Sequence, residues 1–244
     1  MNYTKWSKPL SILESDMEYG QFCPIAKASE LIGEKWTVLI IREILMGGNR
    51  FSELQRGLGT ISPTLLTRRL ADLETNGLIY RKTISGQRGH EYYPTEACKQ
   101  LQPVLLSLGN WGLTWAHENL QTYDYDVELL LIYLERSIQT DKLPPSETII
   151  QFSFSDMIEK ANWWLIAENG SVEACDKDPG KDIDVYFHTT VKTMTDIWMK
   201  KISYREAKKA GELSITGNSY LAEHVSSWMH YTPFETLPPA EKIL

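Results

Sequence analysis

The chain has 244 residues, 42% of them hydrophobic and 23% charged, with a formal charge of -7; this is the balance of folded globular domains, and there is length for two. No uncharged apolar run approaches the ~20 residues needed to span a bilayer, the N-terminus MNYTKWSKPLSILESDMEYG lacks an apolar secretion core, and three scattered cysteines fit neither a disulfide framework nor a structural zinc. A cytoplasmic protein with no membrane partner is therefore expected. The charge is uneven: residues 1–120 hold 13 Lys and Arg against 12 Asp and Glu, and residues 121–244 hold 12 against 20. Two domains with different partners follow from that asymmetry.

Residues 1–22 have no period and are expected to form an arm. Residues 26–32 and 35–46 read as helices separated by Gly33; the second, KWTVLIIREILM, is apolar nearly all round and should be buried. Gly47-Gly48-Asn49 ends it. A short helix at 51–58 follows, with Ser52 and Gln55 at capping-box spacing, and Gly59-Thr60-Ile61 turns the chain. The next helix opens with Ser62 as N-cap and Pro63 as first residue and stops at Asn76-Gly77. At 100° per residue, Leu66, Leu70 and Leu73 share one face, and Thr64, Thr67, Arg68, Ala71 and Thr75 share the other. Arg69 falls on the core-side flank. Strands at 78–84 and 90–94 enclose a hairpin tip at 85–89, and 95–120 is helical again, with Pro103 dividing it.

Residues 121–127 read as a linker and 128–138 as an amphipathic helix. After Pro144-Pro145, strands are expected at 148–154, 162–168, 171–175 and 183–188, helices at 190–200 and 204–210, a strand at 212–216, and a last helix at 219–229. Trp163 and Trp164 are adjacent, so on a strand they point to opposite faces. Met194 and Trp198 share one helix side, as do Trp228 and Met229 near the C-terminus. Methionines beside rigid aromatics suit an adaptable apolar pocket, for which Trp163, Trp164, Tyr186, Met194, Trp198, Trp228 and Met229 are the candidates; an ordinary core would use the same residues.

Three helices, a tight turn before the third and then a hairpin is the order of a winged helix. The exposed face of residues 62–75 is small and polar at its N-terminal end, so Thr64, Thr67 and Arg68 are the candidate base contacts. Lys35, Ser62, Arg69, Arg81, Lys82 and, at the hairpin tip, Arg88 are the candidate phosphate or wing contacts. A solvated helix face would also carry an Arg-Arg pair; the surrounding order of elements favours the DNA reading. The acidic run 176–184 lacks the glycine and glutamate positions of an EF-hand loop, and the five histidines form no metal-ligand spacing. No nucleophile elbow or phosphate-cradling glycine loop is present. Neither a catalytic residue, a metal nor a cofactor is expected.

The pieces Cys23-Pro24, LIGEKWTVLIIREIL, RFSEL, ISPTLLTRRLADLETNGLIYR, YYPTE and PVLLSLGNWG occur in order over residues 20–118. They resemble the HxlR-type bacterial transcriptional regulators. The resemblance implies a winged-helix homodimer on a pseudo-palindromic operator in double-stranded DNA, with terminal helices as the dimer contact. It also implies a possible oxidant-sensing thiol at Cys23, for which a small buried residue at the dimer interface is the alternative. Cys98 departs from the glycine usual in that family. Residues 125–235 resemble the sterol-carrier-protein fold, most clearly in ELSITGN, which implies a mostly antiparallel sheet covered by helices around a site for a small apolar, lipid-like or aromatic ligand.

The expected protein is α+β: an arm at 1–22, a winged-helix DNA-binding and dimerisation domain at 23–120, a linker and connecting helix at 121–147, and a sterol-carrier-like effector domain at 148–244. Its expected function is effector-modulated transcriptional regulation, most simply repression. The alternatives are a thiol-based regulator using Cys23 and a lipid carrier with an added DNA-binding module.

Overall fold

The computed structural model describes residues 18–84, 89–116, 120–121 and 124–234. The chain divides into two compact units, Met1–Leu108 and Gly109–Leu244.

The first unit contains α1 (Pro24–Ile32), α2 (Thr37–Leu45), α3 (Phe51–Gly57), α4 (Pro63–Thr75), β1 (Ile79–Thr83), β2 (His90–Pro94), α5 (Glu96–Lys99) and the start of α6 (Gln102–Trp115). Leu66, Leu70 and Leu73 of α4 enter one core with Ile40, Ile41 and Ile44 of α2 and Leu54 of α3. The Ser62 hydroxyl accepts from the Leu65 N–H at 3.3 Å, as an N-cap should. At α3 the expected Ser52–Gln55 box gives way to a different cap. The Glu53 carboxylate accepts from the backbone N–H groups of Asn49 and Arg50, at 3.0 and 3.1 Å, because the helix starts two residues earlier than that box requires. Pro103 does not divide a helix either. The break comes at Gln100-Leu101, and Pro103 sits in the first turn of α6, where its missing N–H costs nothing. β1 and β2 pair antiparallel from Ile79–Pro94 to Thr83–His90. An Arg50–Glu91 bridge and a 2.8 Å bond from Tyr92 N–H to Asn49 O tie this hairpin to the entry of α3.

The second unit contains the rest of α6, then α7 (Val127–Ser137), β3 (Thr148–Phe154), β4 (Asn162–Glu168), β5 (Ser171–Cys175), β6 (Val185–Thr189), α8 (Val191–Trp198), α9 (Tyr204–Ala210), β7 (Ser214–Gly217), α10 (Ser219–Glu223) and α11 (Val225–Trp228). The expected last helix is thus two, parted at His224. The strands lie in the order β5-β4-β3-β6-β7, all antiparallel except β3 with β6.

Period-2 alternation sorts the sheet into two faces. Cross-strand register puts Trp163, Phe152, Phe187 and Ile215 in one row, and Leu165, Ile150, Val185 and Gly217 in the next. Their side chains meet Leu130, Leu131 and Leu134 of α7, Met194 and Ile197 of α8, and Leu221, Val225 and Trp228 from the C-terminal helices. Gly217 has φ +105, and a Cβ there would lie 2.2 Å from the Asp184 carbonyl oxygen, so the close β6–β7 approach requires glycine.

Candidate nucleic-acid interface

The α4 surface is assembled by its own periodicity. With three leucines turned inward, Thr64, Thr67, Arg68, Ala71 and Thr75 are exposed. Arg68 makes no ion pair or hydrogen bond with any described residue. The Thr67 hydroxyl donates to the Pro63 carbonyl one turn back, at 2.9 Å.

Arg69, adjacent in sequence, is placed quite differently. It is 8% exposed and donates to Glu34, in the turn between α1 and α2, and to Asp72 at 3.2 Å. Its guanidinium joins α4 to the α1–α2 turn and is not available to a phosphate. The physical reason is the 100° step from Arg68, which carries it from the exposed face to the helix flank.

The other proposed backbone contacts are mixed in character. Lys35 and Ser62 are exposed, the latter with its hydroxyl oxygen engaged in capping. Arg81 is exposed but lies 3.3 Å from Glu74. Lys82 is exposed above the Tyr93 and Tyr80 rings, with its ammonium 4.7 and 5.6 Å from their centroids, which stiffens the wing strand without neutralising the charge. Arg88 lies outside the described residues.

In the second unit, the seven pocket candidates do not share one cavity. Trp163, Met194, Trp228 and Met229 belong to the buried core, and Trp198 packs at its edge. Trp164 and Tyr186 stand on the opposite face of the sheet, in one row with Gln151 between them. The core rings fill space by touching one another: Phe187 stacks on Phe152 at 4.6 Å and meets Trp228 edge-on at 6.2 Å. Three indole N–H groups of the core and its edge have internal partners. Trp163 donates to Lys160 O at 2.9 Å, Trp198 to Ser137 Oγ at 3.1 Å, and Trp228 to Leu221 O at 3.0 Å. Trp198 also stacks on Tyr133, locking α8 to α7. Sequence periodicity finds these residues but not their mutual contacts.

Residues 31–120 match the model for HxlR-like helix-turn-helix proteins, and residues 133–230 match the SCP-2 sterol transfer family. The uncharacterised HTH-type transcriptional regulator YvaP of Bacillus subtilis is 33% identical over 101 residues, which is 41% of this chain and 94% of YvaP. The chain belongs to the HxlR-like helix-turn-helix family. The uncharacterised HTH-type regulator sll1512 of Synechocystis is 34% identical over 41% of this chain and 76% of its own length. Among solved structures, the reduced transcriptional regulator YodB of B. subtilis aligns with 40% of this chain and 98% of its own, at 28% identity and a TM-score of 0.35.

The HxlR-like unit holds two cysteines in contrasting settings. Cys23 is half-buried at the N-cap of α1. Cys98 is fully buried in the helical core, and burial pushes its thiol pKa up to about 11. At pH 8 only about one Cys98 thiol in a thousand is ionised, and the thiolate is the form that reacts. In native protein treated with iodoacetamide, mass spectrometry is expected to find Cys23 labelled well before Cys98. Equal rates would mean that α5 and the core beneath it open readily. Among the described residues no group of His, Cys, Asp and Glu is arranged to hold a metal ion, and no helix is long and apolar enough to cross a membrane.

Proposed function

We propose that this chain is a DNA-binding transcriptional regulator, acting as a repressor, in which a homodimer places one α4 in each of two successive major grooves. The single observation that carries this reading is the contrast on α4: Arg68 is exposed beside Thr64 and Thr67 with no partner among the described residues, while Arg69 is consumed internally. A surface arginine kept for mere solubility has no reason to sit among small side chains that allow close approach to base edges.

Support for the dimer comes from the terminal helices. α6 leaves Val104, Leu108, Trp111 and Trp115 each more than half exposed, at i, i+4, i+7 and i+11 on one helix stripe. Phe22 is fully exposed, and Ile25 at the start of α1 is 77% exposed. Apolar stripes of this kind are expected to be covered by a partner. The C-terminal domain holds the effector, and its match to the SCP-2 sterol transfer family supports a lipid-like one. Effector binding modulates operator affinity by favouring one separation of the two recognition helices; a coupling of about 1–3 kcal/mol gives a 5–150-fold response.

The test is a gel-shift assay of the full chain on the DNA upstream of its own gene, repeated with organic extracts of the purified protein, alongside sedimentation of the protein alone. A retarded band, altered by extract, and a dimeric mass are expected. Failure to bind any native promoter fragment specifically would overturn the reading.

A further inference from the structure

We propose that the C-terminal unit carries a polar ligand site, separate from its aromatic core, that takes a small hydroxylated amine. This inference does not rest on DNA binding, and its test contains no DNA.

The site is a cavity of about 300 Å³ at the carboxyl ends of β3 and β6, the parallel pair of the sheet. There the two chains part: β3 runs on into Ser155 and Asp156, while β6 passes through Thr190 into α8. Gly211, Glu212 and Ser214, from the turn into β7, close the third side. The volume lies at the lower limit for small-molecule sites.

The lining decides the ligand's chemistry. Four of its hydroxyls, those of Ser155, Thr189, Thr190 and Thr193, direct their protons into the wall. Ser155 Oγ donates to Thr189 O at 3.3 Å, Thr189 Oγ1 to Glu212 O at 2.9 Å, and Thr190 Oγ1 to Thr193 Oγ1 at 2.9 Å. Thr193 Oγ1 in turn reaches Glu212 Oε2 at 3.5 Å. Thr190 Oγ1 also accepts from the Thr193 N–H at 2.9 Å; the oxygen lone pairs left over make the wall an accepting one. Glu212 adds a carboxylate, and among the described residues no lysine or arginine lines the cavity. Nearby Lys192 is committed to Asp196 at 2.6 Å.

An anion finds no welcome at the start of α8 either. The Val191 N–H is already taken by both carboxylate oxygens of Asp156, at 2.9 and 3.1 Å. The complementary ligand therefore carries many donors and a positive charge. His188 and Ser214, opposite each other across the β6–β7 ladder, are placed at the rim to orient it.

The test uses the full chain and three probes in isothermal titration calorimetry: glucosamine, neutral N-acetylglucosamine and anionic glucose 6-phosphate. Glucosamine is expected to bind, its N-acetyl form at least about tenfold more weakly, and the phosphate least of all. Glu212→Gln should weaken glucosamine by about tenfold or more; Glu212 is exposed, so the melting temperature should hold. Ser214→Trp, on an exposed strand position, should block the mouth and abolish the heat of binding. The proposal is overturned if glucosamine gives no saturable heat, if it binds no better than the phosphate, or if neither substitution affects it.

Discussion

Arg68→Ala is expected to weaken operator binding by roughly 5- to 150-fold, the range for loss of one bidentate arginine–guanine contact, with no change in melting temperature. The side chain is exposed and has no partner among the described residues, so its removal orphans nothing in the folded chain. The loss should be confined to the specific site. Binding to scrambled DNA, which depends on phosphate neutralisation, should fall far less, and discrimination between the two should narrow. Lys82→Ala is the contrasting variant. It should weaken specific and scrambled DNA alike and reduce the salt slope by about one. If Arg68→Ala lowers both affinities by the same factor, the residue is a phosphate contact and the base-reading assignment fails.

Arg69→Ala completes the comparison from the other side. The residue is 8% exposed and its guanidinium bridges Glu34 and Asp72, both of which retain contact with solvent. Removing it separates α4 from the α1–α2 turn and should cost on the order of 1–3 kcal/mol of stability, between the values for surface and fully buried ion pairs. Any loss of DNA affinity should follow from that destabilisation and disappear when α4 is held folded at low temperature. Two neighbouring arginines are thus expected to separate cleanly, one into recognition and one into architecture.

How much of this was legible in the chain differs by element. α4 could be read from end to end because its signals are local: Ser62-Pro63 at the start, leucines at 66, 70 and 73, Asn-Gly at the stop. β3, β4 and β5 begin and end where alternation and turn residues placed them. Features that depend on partners distant in sequence were not legible. Helical geometry put Arg69 on the core-side flank, yet nothing in the spacing points to Glu34, 35 residues away. Likewise, the parallel pairing of β3 with β6 brings Phe152 against Phe187, and no periodicity within either strand can show that contact. The cap of α3 was missed for a smaller reason: Ser-x-x-Gln and Glu53 compete within one turn, and the choice depends on where Arg50 is held by the wing.

The same long-range contacts determine what kind of interior the C-terminal unit has. Trp228 is fully buried, sits edge-on to Phe187 and donates its indole N–H to Leu221 O. Its carbonyl accepts from the Gln139 N–H at 2.7 Å, joining the last helix to the segment after α7. A Trp228→Ala variant therefore removes a large ring from packed surroundings and leaves a cavity. The expected cost is about 3–5 kcal/mol, seen as a lower urea midpoint with an unchanged slope. Trp228→Phe retains most of the apolar volume and loses the indole donor, leaving Leu221 O short of a partner; about 1–3 kcal/mol is expected there. These numbers separate two interiors that use the same residues. If the indole instead lines an open apolar tunnel, one of its faces has few neighbours to lose, and Trp228→Ala should cost about 1 kcal/mol or less. In that case a lipid-like ligand has a ready seat in the ligand-free protein. At 3 kcal/mol or more, the aromatic core is solid, and a lipid-like effector must displace packed rings to enter.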